Sequence, residues 1–145
     1  MTEFEVGLED TNFVFETVMR VRTTEIGIGQ HLGIEALVAL LTESRARFLY
    51  AKSIKEINAD YHGLMTTYVT TRVLSRARAR EELLFEVGVQ HLTHTGGEFA
   101  FKVTRMLDGS PVANAVMGFV AYDYRQNSEI PLSQSLRDAL TSASL

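Results

Sequence analysis

From Gly33 to Tyr50 the apolar residues Ile34, Leu37, Val38, Leu41, Phe48 and Leu49 return at the spacing of one helical face. Ala36, Ala39 and Leu40 carry that character around the first half of the segment. A helix apolar on most sides is covered on most sides, so this segment is expected to be a central helix that a sheet curls around. Its longest apolar stretch, Ala36 to Leu41, is far short of the roughly 20 residues that a membrane span requires.

The residues on either side read as strands. From Phe13 to Val21 the odd positions Phe13, Phe15, Met19 and Val21 are apolar, while Glu16, Arg20 and Arg22 take even ones, the period of a half-buried strand. Thr23 to Gln30 reads as a loop. After the helix, Tyr61 to Leu74 is rich in Thr, Val and Tyr, which suit a pleated surface. Leu83 to His91 alternates, as do Phe99, Phe101 and Val103 against Glu98, Lys102 and Thr104. Val112 to Tyr122 is apolar on both faces except at Asn114, as in a central strand. Gly96-Gly97 and Asp108-Gly109 are expected to form hairpin turns between these runs. Ser133 is expected to cap a short terminal helix ending near Leu140. Strand, long helix, then an antiparallel meander predicts an α+β fold in which one curved sheet buries the helix on its concave face.

Composition removes several function classes. The 145 residues contain no cysteine, which excludes disulfides, thiolate nucleophiles and Cys-based zinc sites and suits a reducing cytoplasm. At 46% hydrophobic and 22% charged, the chain reads as one globular domain spanning 1–145. The opening Met1 to Glu5 has no basic-then-apolar pattern, so no secretory leader is expected, and the cytoplasm is the expected location. A net charge of -4 argues against a dedicated nucleic-acid partner. His62, His91 and His94 lack metal-ligand spacing, so no metal is expected, and neither a Gly-x-Ser-x-Gly elbow nor a phosphate-binding glycine loop occurs.

Met19 to Arg22, Gly29-Gln30-His31-Leu32-Gly33, Leu40 to Arg45, Phe48-Leu49, and the later Leu74 to Arg78 followed by Glu82-Leu83 resemble the hotdog-fold acyl-CoA thioesterases of the 4-hydroxybenzoyl-CoA thioesterase type. The resemblance runs from about Phe13 to Tyr122 and implies a hotdog fold and hydrolysis of an acyl-coenzyme A thioester, with coenzyme A entering only as part of the substrate. It also marks a departure. The aspartate that commonly serves this family as nucleophile or base falls at Gly27, and the polar residue at the helix start falls at Ile34. Any thioesterase chemistry here rests on a different carboxylate.

Thioester hydrolysis needs a carboxylate to activate water or attack the carbonyl, and donors for the developing oxyanion. Unpaired amides at a helix N-terminus are such donors, and Gly29 and Gly33 let a substrate approach the backbone leading there. His31 is a candidate to assist, or else caps the helix. Glu35 stands in the first helical turn, where the macrodipole favours a negative charge with or without chemistry. Glu43 is a candidate base, since the resemblance includes enzymes with a helix-borne glutamate; the competing reading is an i,i+4 ion pair with Arg47. Glu25 takes the family's first acidic position. Arg45 interrupts the apolar stripe and needs a partner, for which Glu25 is the expected one. Arg76 and Arg78, with Arg72 and Arg80, are candidates for the coenzyme A phosphates, or form a solvated charged loop beside Glu81 and Glu82.

Three functional readings follow. The first is an acyl-CoA thioesterase with Glu43 or Glu35 as base or nucleophile, assisted by His31, and core-facing Phe, Met and Leu residues walling the acyl tunnel. The second is a non-catalytic module that binds an acyl group or a partner protein, as the loss of acid–base chemistry at Gly27 and Ile34 suggests. The third, a hydroxyacyl-CoA dehydratase, would pair His31 with Glu35. An open sheet edge invites pairing, so a homodimer, or a homotetramer built from it, is expected.

Overall fold

The structure is a computed structural model and describes residues 6–8 and 11–142; the opening Met1 to Glu5 lies outside the described residues. Strand β1 (Phe13–Arg20) leads through a 3-10 turn (Thr23–Glu25) into helix α1 (Ile34–Ala51). Four long strands follow: β2 (His62–Val73), β3 (Glu82–Gln90), β4 (Gly96–Arg105) and β5 (Pro111–Asp123). A two-residue strand β6 (Ser128–Glu129) and helix α2 (Gln134–Thr141) end the chain, with Ser133 Oγ accepting from the Leu136 amide at the start of α2.

All strand pairings are antiparallel, in the order β1-β3-β4-β5-β2 with β6 on β5. The expected meander therefore covers only β3, β4 and β5. Strand β2 crosses over to pair with β5, and β1 closes the far side on β3, so the first two strands form the two edges. A long helix against one face of such a sheet is the hotdog arrangement, α+β in class.

Alternation decides which face meets the helix. On β4 the odd residues Phe99, Phe101 and Val103 are fully buried and belong to the core, and the Phe99 ring stands edge-on to Phe48 of α1, centroids 6.2 Å apart. Phe48 also packs against Phe15 of β1 at 5.6 Å. Burying a ring of this size contributes about 1.5–3 kcal/mol. Helix α1 turns Leu37, Leu40, Leu41, Ser44, Phe48 and Leu49 inward. The one polar member is satisfied, because Ser44 Oγ donates to Leu41 O at 2.8 Å.

Coverage of α1 is narrower than the apolar pattern implies. Ile34 is 50% exposed, and Glu35, Ala39, Thr42, Glu43 and Tyr50 face outward as well. The helix has a buried side and an open side. Ile34 lies three and seven residues before Leu37 and Leu41, on the buried side, and is exposed because it is the first residue of the helix.

The glycine pair Gly96-Gly97 lies inside β4, and the turn falls earlier, around His91 with φ +52°. Close backbone approach explains these glycines: a Cβ on Gly96 would stand 2.0 Å from the Phe119 carbonyl oxygen of β5. Gly109, at φ +73°, is the turn glycine expected between β4 and β5.

Candidate active site

Helix α1 begins without a side-chain cap. Gly33 is the N-cap, its carbonyl takes the first helical bond from the Leu37 amide at 2.9 Å, and its own amide donates to Glu25 O at 3.1 Å. The amides of Ile34, Glu35 and Ala36 enter no hydrogen bond among the described residues, which leaves three donors and the positive end of the helix dipole facing outward. Glu35 stands in the first turn, its side chain beside the N-cap. Its Oε2 lies 3.6 Å from where a Cβ on Gly33 would be, and the carboxylate is in no hydrogen bond or ion pair among the described residues.

The approach loop is tightly specified. The Gly27 amide donates to His31 O at 2.9 Å, and Gln30 turns back to Gly27 O at 3.3 Å. Gly29 has φ +88°, and a side chain there would press on the His31 ring at 3.1 Å. His31 is half-buried, with Nδ1 at 3.1 Å from Leu32 O.

The connector between β2 and β3 reaches this loop. The Leu32 amide donates to Ala77 O at 2.8 Å, and Ala77 is buried. Val21 makes further backbone bonds to the end of the connector, Val21 N donating to Glu81 O at 2.9 Å and Arg80 N donating to Val21 O at 2.7 Å. Arg76 and Arg78, on either side of Ala77, are thereby brought beside the start of α1. Their guanidinium groups and that of Arg80 are exposed and meet no carboxylate among the described residues. By contrast Arg20, Arg22, Arg45, Arg47 and Arg105 each have a carboxylate within 3.6 Å.

The other carboxylates singled out in the sequence sit elsewhere, around a cleft of about 630 Å³ between β1 and α1 that both Glu25 and Glu43 line. Glu43 accepts from Arg47 Nε at 2.9 Å, the i,i+4 pair, and Arg47 also donates to Thr17 Oγ1 at 2.8 Å. Glu25 accepts from the Arg22 amide at 2.7 Å and from Arg22 Nη2 at 2.9 Å. Burial opposes its charge, but those bonds outweigh burial and hold its carboxyl below the usual glutamate range. Arg45 does not reach Glu25; it donates to Thr66 Oγ1 on β2 and to Glu56 Oε1 at 3.1 Å. The reason is local, because Glu25 is already satisfied three residues away by Arg22.

Sequence reasoning missed Arg105, at the end of β4. Its Nε donates to Glu81 Oε2 at 2.8 Å, Nη1 to Ser75 Oγ at 2.8 Å and Ser110 Oγ at 3.0 Å, and Nη2 to Arg76 O at 2.7 Å. Nothing local marks it, since three of these partners lie 24 to 30 residues away. Among the described residues no three His, Asp or Glu side chains gather as a metal site would, and no helix is long and apolar enough to cross a membrane.

A long helix packed on one face of an antiparallel sheet is the architecture of the thioesterase-like hotdog proteins. The model of the thioesterase-like superfamily matches residues 21–140, most of the chain, and the chain belongs to that family. No curated protein matches the sequence. Solved structures share the fold at low identity. A 1,4-dihydroxy-2-naphthoyl-CoA thioesterase from Synechocystis superposes with TM-score 0.80 at 12% identity, covering 87% of this chain and 94% of that one. A thioesterase-superfamily protein from Jannaschia sp. gives 0.80 at 17%, covering 90% and 83%. A Staphylococcus aureus protein solved in complex with CoA gives 0.78 at 14%, covering 89% and 82%.

Proposed function

We propose that this protein hydrolyses an acyl-coenzyme A thioester at the amino end of α1. The observation that carries the reading is the Glu35 carboxylate, free of partners among the described residues, in the same first turn as three unbonded amides and with Oε2 3.6 Å from the Cβ position of Gly33. The thioester carbonyl oxygen takes hydrogen bonds from the amides of Ile34, Glu35 and Ala36, which stabilise the negative charge of the tetrahedral intermediate. Glu35 removes a proton from water as its oxygen bonds to the carbonyl carbon. The C–S bond then breaks, the sulfur leaves as the thiol of coenzyme A after taking a proton, and the acid departs. His31, one turn before the helix, orients the water or the carbonyl. Glu43 and Glu25, each bound to an arginine, line the neighbouring cleft and support the geometry of β1 and α1.

Arg76 and Arg78 take the phosphates of the coenzyme, to which their unneutralised guanidinium groups are suited. The Staphylococcus aureus relative, solved with CoA, is consistent with that ligand. Strand β2 has a neighbour on one side only and exposes Tyr68, Val69 and Val73. A second copy of the chain pairing there gives a homodimer and brings a cover toward the open side of α1.

Turnover of a panel of short, long and aromatic acyl-CoAs, compared between the native chain and Glu35→Gln, tests the reading. Hydrolysis lost in the variant supports it. The residue at the family's aspartate position, Gly27, favours a second reading, an acyl-CoA-binding module without turnover. Tight binding with no hydrolysis by the native chain would establish that one instead.

A further inference from the structure

We infer that Arg105 is the positioning residue for the coenzyme end of this site, an inference that rests on the acyl-CoA reading above. The connector from Ser75 to Glu81 carries Arg76, Arg78 and Arg80 and is not part of any strand, so something must hold its backbone still if those side chains are to meet a polyphosphate in one arrangement. Arg105 does so from outside the connector. Its side chain is 15% exposed and its guanidinium grips both arms at once: Nη2 on Arg76 O at 2.7 Å, Nη1 on Ser75 Oγ at 2.8 Å, and Nε on Glu81 Oε2 at 2.8 Å.

Glu81 extends that grip. Its second oxygen, Oε1, accepts from the Arg78 amide at 2.7 Å. Arg105 therefore reaches the carbonyl of Arg76 directly and the amide of Arg78 through one carboxylate. Between these two fixed points Ala77 gives its carbonyl to the Leu32 amide at 2.8 Å. Three consecutive residues are thus tied, two to Arg105 and one to the loop that delivers α1.

The charge arrangement fits the same role. Arg105 and Glu81 neutralise each other, so the clamp adds no net charge, while Arg76 and Arg78 keep theirs for a ligand. A planar guanidinium donates in several fixed directions at once, whereas an ammonium donates from one point. Lysine at position 105 retains an ion pair with Glu81 but donates from a single nitrogen, so it does not reproduce the separately aimed bonds to Ser75 and the Arg76 carbonyl.

The experiment uses the full chain and free coenzyme A as probe, so it does not depend on turnover. Calorimetry is run on the native chain, Arg105→Gln, Arg105→Lys and the double variant Arg76→Ala/Arg78→Ala, with circular dichroism confirming the fold of each. Expected is a loss of CoA affinity of about tenfold in Arg105→Gln, a smaller loss in Arg105→Lys, and little change in affinity for pantetheine, which lacks the nucleotide and its phosphates. General loosening of the fold would weaken both ligands alike. Folded Arg105 variants that bind CoA within twofold of the native chain, while the double variant does not, would overturn the inference and leave the site reading intact. Loss in neither set would overturn both. Failure of both Arg105 variants to fold would make Arg105 a structural residue and overturn the positioning role.

Discussion

The amide of Leu32 donates to the carbonyl of Ala77 across 2.8 Å, joining the loop that starts α1 to the connector that carries Arg76 and Arg78. Two segments far apart in the chain thereby become parts of one candidate site.

Removing the charge from either arginine is expected to act on substrate capture. Arg76→Ala and Arg78→Ala should each raise KM for an acyl-CoA about tenfold, equivalent to about 1.4 kcal/mol, with kcat less affected. Steady-state kinetics at two salt concentrations checks this, because a variant that no longer pairs with a phosphate also responds less steeply to salt.

Glu35 is expected to dominate the chemistry. Glu35→Gln should lower kcat about 100-fold or more, the range for a general base, while Glu43→Gln, which loses a half-exposed ion pair with Arg47, should cost well under 1 kcal/mol of stability and little activity. Single-turnover rates separate the two, and equal losses would place the base elsewhere.

Gly118 on β5 lies under Tyr68 of β2, and a Cβ there would come within 2.1 Å of the ring. Gly118→Ala must displace the ring and break its hydroxyl bond to Glu98, so a destabilisation of about 1–3 kcal/mol is expected. A shift of the urea midpoint in equilibrium unfolding measures it.

The same cluster sets a pH dependence. Burial works against the charge on Glu98, yet hydrogen bonds from Tyr68, Gln90 and His91 hold its carboxyl below the usual glutamate range. A lowered folded value contributes stability that is full above the unfolded value of about 4.3 and is lost as the pH falls through the folded one. Glu98→Gln should therefore flatten the loss of stability on acidification. Tyr68 has the opposite sign: its bond to Glu98, then burial, push the phenol up to about 12. Its contribution is complete below the ordinary phenol value of about 10 and fades as the pH rises through the folded value. Absorbance titration should show a late-ionising tyrosine that Tyr68→Phe removes.

Pairing through β2 predicts a dimer in sedimentation velocity at micromolar concentration. Val69→Lys, which places a charge at the open edge, should shift it toward monomer.

The elements were legible wherever periodicity and burial coincide. Phe99, Phe101 and Val103 alternate because one face of β4 meets α1, and that pattern needs no knowledge of the partner. Gly96-Gly97 misled because a glycine pair marks a turn and a close backbone approach equally, and only the opposing Phe119 carbonyl decides. Strand order was hidden for a related reason: propensity says that β2 is a strand, while its choice of β5 over β3 depends on the whole sheet. In the site, the loop from Gly29 to Gly33 was readable from its glycines and the helix that follows. The partners of Arg45 and Arg105 were not, because a buried cation announces its need for a counterpart without indicating where along the chain that counterpart lies.

Guanidinium groups on the connector that meet no carboxylate among the described residues give a molecule of net charge -4 a locally positive end. A polyanion diffusing toward this protein meets a net negative charge overall and a local attraction at that end, so encounters are biased by orientation before any bond forms. Ionic strength then acts in two directions, weakening the long-range repulsion first and the short-range attraction later.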